Sequence, residues 1–140
     1  MTRQSWDEYF SNIASITALR STCLRKQVGC VIVKNKTIIA TGYNGSLPGE
    51  PHCIDVGCYM KDNHCVRTMH SETNAINQAA KNGTSLFGAV IYCTLEPCWG
   101  CFKNIISAGI HKIYFKESYG SENQMRTSYL KRNNIIYEKI

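Results

Sequence analysis

The sequence predicts an α/β protein: a mixed sheet of about five strands between helix layers, a three-layer α/β/α arrangement. Three observations carry this expectation. From residue 28 onward, β-branched runs alternate with segments of helical periodicity, the pattern of parallel strands joined by crossover helices. The first two β-branched runs are separated only by Asn35-Lys36, a hairpin signal that makes the opening pair antiparallel. The length, 140 residues, suits one domain with one core, and no internal repeat or low-complexity segment divides it.

The elements follow in chain order. Trp6, Tyr9, Phe10, Ile13, Ile16 and Leu19 fall at helical spacing, and Ser5 with Glu8 fits a capping box, so a helix is expected over 6–19. A basic connection leads to strands at 28–34 and 37–43. Residues 42–66 show no periodicity and are rich in Gly, Pro, Cys and His. So long a loop in a compact domain points to function or to a metal staple. A helix is expected from Thr68 to the stop at Asn82-Gly83, then a central apolar strand at 89–94. A second helix over 98–108 presents Cys101, Phe102, Ile105 and Ile106 on one face and ends at Gly109. A strand at 112–116 follows, then a weak helix at 122–131 with Met125, Tyr129 and Leu130 facing in, and a last strand at 134–139.

Composition narrows the classes. Hydrophobic residues make up 44% and charged residues 19%, ordinary for a soluble globular protein. The formal charge of +6 suits an anionic partner, nucleotide or nucleic acid, or simply a mildly basic surface. No run of Lys and Arg forms a nucleic-acid arm, no apolar stretch is long enough to span a bilayer, and the first eight residues lack a signal peptide's apolar core. A cytoplasmic, intracellular place is the expectation. In a reducing compartment, eight cysteines point to metal or catalysis more than to disulfides. Cys30 and Cys93, inside strand-like runs, read as small buried hydrophobes.

His70 and Glu72 sit two apart near the start of one helix, and Pro97-Cys98-Trp99-Gly100-Cys101 opens another. His70, Cys98 and Cys101 would supply three zinc ligands and leave a fourth position for water; Glu72 beside that water would move protons. Helix starts let such ligands converge, and the helix dipole there favours thiolate. A Cys-x-x-Cys alone also fits a redox pair or half of a structural zinc site, and His-x-Glu alone says little. Together, in this order, they match the signature of the zinc deaminases.

Further strings extend the match: Arg20-Ser21-Thr22-Cys23-Leu24-Arg25, Val28-Gly29, Thr41-Gly42-Tyr43-Asn44-Gly45, His52-Cys53, His64-Cys65, Arg67 through Glu72, and Asn74-Ala75-Ile76. With Pro97-Cys98 and Cys101 they resemble the deoxycytidylate (dCMP) deaminase family of the cytidine deaminase superfamily, over nearly the whole chain. Ser71 and Cys30 depart from it, since the family usually has Ala at both places.

The resemblance implies a cytidine deaminase-like fold and a single zinc-dependent nucleotide deaminase domain over 1–140. It implies hydrolytic deamination of dCMP to dUMP and ammonia, feeding dTMP synthesis, with dCTP as activator and dTTP as inhibitor. A Mg²⁺ ion would accompany a triphosphate effector, and the chain would form a homo-oligomer, a hexamer. A second, structural zinc is implied at Cys23, Cys53, His64 and Cys65, with Cys58 in reserve; free thiols are the alternative. A closed metal site would offset the ordering cost of the long loop. Gly42, Tyr43, Asn44 and Gly45 resemble the family's nucleotide and effector loop, Asn44 facing the sugar, although an ordinary Asn-Gly turn reads the same way. Arg25 is implied as a phosphate contact, against a solvated surface Arg. Tyr119 and Lys81 are further candidates. Rival readings are a dCTP or dual dCMP/dCTP deaminase, a tRNA or single-strand deaminase, and a non-catalytic zinc-stapled binding protein. The lack of a basic extension speaks against the nucleic-acid reading, and Glu72 against the last.

Overall fold

Helix formation starts at the capping box. In the computed structural model, which describes all 140 residues, the Ser5 hydroxyl accepts from the Glu8 amide at 3.2 Å and the Glu8 carboxylate accepts from the Ser5 amide at 2.8 Å. This opens α1 (Trp6–Ala18). β1 (Gly29–Lys34) and β2 (Thr37–Tyr43) then turn through Asn35 and Lys36, both at positive φ (51° and 60°), the two-residue turn whose twist matches paired strands. β3 (Gly45–Ser46), α2 (Cys53–Val56), β4 (Met60–Lys61), β5 (His64–Cys65) and β6 (Thr68–Met69) follow. α3 (Ser71–Lys81), β7 (Val90–Leu95), α4 (Trp99–Ser107), β8 (Lys112–Glu117), α5 (Gln124–Arg132) and β9 (Ile136–Lys139) complete the chain.

The main sheet has five strands in the order β2-β1-β7-β8-β9. β1 is antiparallel to β2 and β7, while β7, β8 and β9 run parallel. This is the mixed sheet expected from the alternation of strands and helices. Side chains alternate between its faces. Cys30, Ile32, Ile91 and Cys93 face one way, toward Ala75 and Ala79 of α3 and Phe102 and Ile105 of α4. Val31, Val33 and Tyr92 face the other way, onto Phe10 and Ala14 of α1. α1 is therefore one outer layer, and α3 with α4 and α5 is the other. Burying each large core side chain contributes about 1.5–3 kcal/mol, which is what holds the layers on the sheet.

Three expectations are corrected. The third helix starts at Ser71, not Thr68, because Thr68 and Met69 pair with Ser46 and Gly45 in a two-stranded ladder. Residues 42–66 contain the short helix α2 and the β4–β5 hairpin, which turns through Asp62 and Asn63 at φ 49° and 67°. In α5, Met125 points out with 63% exposure, while Arg126 is buried and Tyr129 and Leu130 pack on the core. Arg126 can take the inward place because Glu96 meets it 2.8 Å away.

Candidate active site

Two helices begin where extended backbone ends. His70 is the N-cap of α3 and Cys98 the N-cap of α4, with φ −66° at both and ψ 150° and 167°. Neither side chain caps its own helix, so both are left to face each other. Cys101 lies one turn into α4 on the same side. His70 Nδ1 is 3.3 Å from Cys101 Sγ and 3.6 Å from Cys98 Sγ, and the three donors all lie within 4.8 Å of one another. Donors around a tetrahedral zinc stand about 3.5–3.8 Å apart, given bonds of about 2.0–2.1 Å to nitrogen and 2.3 Å to sulfur. The set fits that ion in chemistry and spacing.

Electrostatics suit the same use. Hydrogen bonding to the Cys101 thiol, opposed by burial and helped by His70, brings Cys98 down to about 3. The same contact and burial push Cys101 up, and the Cys98 contact raises His70. The cluster thus favours the thiolate at Cys98. Glu72, in the first turn of α3, is only 4% exposed, and burial raises its carboxyl above the usual range. It lines one cavity of about 60 Å³ with His70, Cys98, Asn44 and Tyr119.

The proposed nucleotide loop is mostly structural. Gly42 lies inside β2, where a Cβ would collide with the Ser71 carbonyl. Its missing side chain lets β2 press against the first turn of α3. Asn74 Nδ2 donates to the Tyr43 carbonyl at 2.8 Å, Arg20 stands over the Tyr43 ring, and Gly45 pairs with Met69. Asn44 Oδ1 accepts from the Ser71 amide at 2.9 Å, satisfying an amide that the helix start leaves free. Of the four, Asn44 reaches the cavity. Arg25 donates to the Asn63 carbonyl at 3.1 Å, ties down the β4–β5 turn, and lines a neighbouring cavity with Asn44, His70 and Tyr119. Lys81 closes α3, about 16 Å along the helix from His70.

The second thiol cluster differs from its expected membership. Cys53, Cys58 and Cys65 have sulfurs within 4.8 Å of one another, with Cys53 and Cys65 3.6 Å apart. Cys23 and His64 stand outside that group, although both line a cavity beside Cys65. Burial and the neighbouring sulfurs push Cys53 up to about 12. Burial also acts to raise Cys65, but the backbone groups of Arg67, Thr68 and Tyr59 outweigh it and bring this thiol to about 6.

Sequence reasoning did not find Lys26, Glu96 or Arg126. Glu96 sits between β7 and Pro97; it accepts from the Tyr119 amide at 3.0 Å and from the Tyr137 hydroxyl. Arg126 pairs with it and also donates to the Pro97 carbonyl at 3.3 Å, fixing the turn that carries Cys98. A lone acid before a proline gives no signal by itself, since its partners come from α5 and β9.

The family model described as "Cytidine and deoxycytidylate deaminase zinc-binding region" matches residues 4–117. The chain belongs to this deaminase family. It is 52% identical over 119 residues to ComE operon protein 2 of Bacillus subtilis, covering 85% of this chain and 63% of that protein. It is 34% identical over 128 residues to deoxycytidylate deaminase of Saccharomyces cerevisiae, covering 87% of this chain and 41% of that protein. The chain thus spans less than two thirds of the length of either relative. Its fold is similar to the crystal structure of dCMP deaminase from the cyanophage S-TIM5 in complex with dCMP and dUMP, with 30% identity, a TM-score of 0.83 and 100% of both chains covered. The three-layer arrangement is therefore the family's cytidine deaminase fold.

Proposed function

We propose that the chain is a zinc-dependent hydrolase converting dCMP to dUMP and ammonia. One observation carries this reading: a buried acid, Glu72, shares a cavity with His70 and Cys98, members of a three-donor set spaced for zinc. A structural site takes a fourth protein ligand and needs no buried carboxyl beside it. Zinc held by His70, Cys98 and Cys101 would supply the Lewis acidity that makes water nucleophilic near neutral pH. Glu72 handles the protons. Its carboxylate takes one proton from the attacking water and passes it to N3 of the cytosine ring; it then takes the second from the hydroxyl now on C4 and delivers it to the departing amino group. Oxygen joins C4, the C4–N bond breaks, and ammonia leaves. Burial raises the affinity of Glu72 for the proton it carries between these atoms. Asn44 and Tyr119 line the cavity and would contact the nucleoside.

The names of the yeast and cyanophage relatives support the substrate. The finer features follow from the family resemblance: activation by dCTP, inhibition by dTTP, Mg²⁺ with a triphosphate effector, and assembly into a hexamer. Exposed Trp6, Tyr9, Ile16 and Leu19 on α1 support assembly of some kind. We propose that Cys53, Cys58 and Cys65 supply three of the four protein ligands that a second, structural zinc takes. No helix is long and apolar enough to cross a membrane.

Ammonia release assayed side by side on dCMP, dCTP, cytidine and a cytosine-containing oligonucleotide tests the reading. Release should be greatest from dCMP and should stop when a chelator removes zinc. Preference for dCTP would move the reading to a triphosphate deaminase. Activity on the oligonucleotide alone would contradict it.

A further inference from the structure

The cavity beside Glu72, about 60 Å³, is too small for a nucleotide, since ligand pockets begin at about 300 Å³. A second cavity of about 170 Å³ lies against it, and the two share Lys26, Asn44, His70 and Tyr119 as walls. Lys26 Nζ rests 4.7 Å from the centre of the Tyr119 ring. That contact joins two of the four walls that the cavities share.

Hydrogen bonds hold the backbones of both residues. The Lys26 carbonyl accepts from the buried Ser21 hydroxyl at 3.2 Å, and the same hydroxyl donates to the Asn44 carbonyl at 3.1 Å. The Tyr119 amide is held by Glu96, whose charge Arg126 neutralises. Lys26 itself makes no ion pair; the sole salt bridge in the molecule is that between Arg126 and Glu96. Arg25, the neighbouring cation, lines the larger cavity too, but one of its nitrogens is engaged by the Asn63 carbonyl.

We infer that Lys26 is the residue that reads the phosphate of the nucleotide, its ammonium leaving the Tyr119 ring for the anion and thereby joining the two cavities. This rests on the dCMP reading of the site. A cation over an exposed ring is held weakly, and a charge-assisted contact with phosphate is stronger. An unphosphorylated nucleoside offers nothing to draw the ammonium away. Lys26 thus makes the phosphate a condition for opening the cleft, and it sets specificity for nucleotide over nucleoside.

Kinetics on the full chain test this. Lys26→Gln should raise KM for dCMP about tenfold or more, with kcat/KM falling through KM, because one charge-assisted contact is lost. Inhibition by dUMP should weaken by a similar factor, and inhibition by deoxyuridine, which has no phosphate, by much less. Lys26→Arg should recover most of the affinity. An unchanged KM in Lys26→Gln, or equal weakening of dUMP and deoxyuridine, overturns the inference while the dCMP reading stands. If the unsubstituted chain releases no ammonia from dCMP, that reading fails and this inference fails with it.

Discussion

Gly42 shows how one residue can be named by sequence for a reason that packing replaces. Within Thr41-Gly42-Tyr43-Asn44-Gly45, where the 37–43 strand ends, it reads as a glycine that lets backbone approach a ligand, yet what it admits is the Ser71 carbonyl, which occupies the space of a Cβ. Gly42→Ala should therefore cost about 1–3 kcal/mol, the usual range for overpacking, and lower the melting temperature. An unchanged melting temperature would show that α3 does not press on β2. His70, Glu72, Cys98 and Cys101 were legible because their spacing and their helix starts lie within short windows of sequence. The second thiol cluster was not, because sequence order gives no distances across an irregular loop. Cys58, held in reserve, sits in the group, and Cys23 and His64 do not. Elemental analysis should find that Cys58→Ser removes one metal ion per chain while His64→Ala keeps it. Loss of the ion in His64→Ala alone would refute the assignment.

At the scale of elements, periodicity located the helices and strands of the sheet, and local chemistry set their ends. α4 begins one residue after the expected Cys98 and α3 three residues after Thr68, since both ligand-bearing positions are caps rather than helical residues. The pairing of β6 with β3, which shortens α3, joins residues more than twenty apart and leaves no periodic trace. α5 illustrates the same limit: its hydrophobic pattern favours an inward Met125, but the partner that rewards burial of Arg126 is Glu96, thirty positions earlier in the chain and two before Cys98. Removing one member of a buried pair leaves an uncompensated charge, at a cost of about 3–5 kcal/mol. Arg126→Met should show a loss of that size in urea denaturation. Adding Glu96→Leu to it should recover part of the loss, because no buried charge then remains unpaired. If the double variant is less stable than Arg126→Met by the full effect of a second, independent loss, the pair is not what stabilises the turn before Cys98.

For the molecule as a whole, the five-stranded mixed sheet and its three layers followed from alternating strands and helices, and the hairpin turn fixed which pair was antiparallel. The topology brings the start of α3 beside the start of α4, so that His70 meets Cys98 and Cys101 across 28 and 31 positions of sequence. On the function proposed for this scaffold, catalysis depends on one acid that binds no metal. The most direct test measures zinc content and ammonia release from dCMP on the same preparation of Glu72→Gln. Zinc should match that of the unsubstituted protein, and turnover should fall by about 10²–10⁴-fold, the usual contribution of a general acid–base group. Full zinc with undiminished turnover would contradict the role given to Glu72.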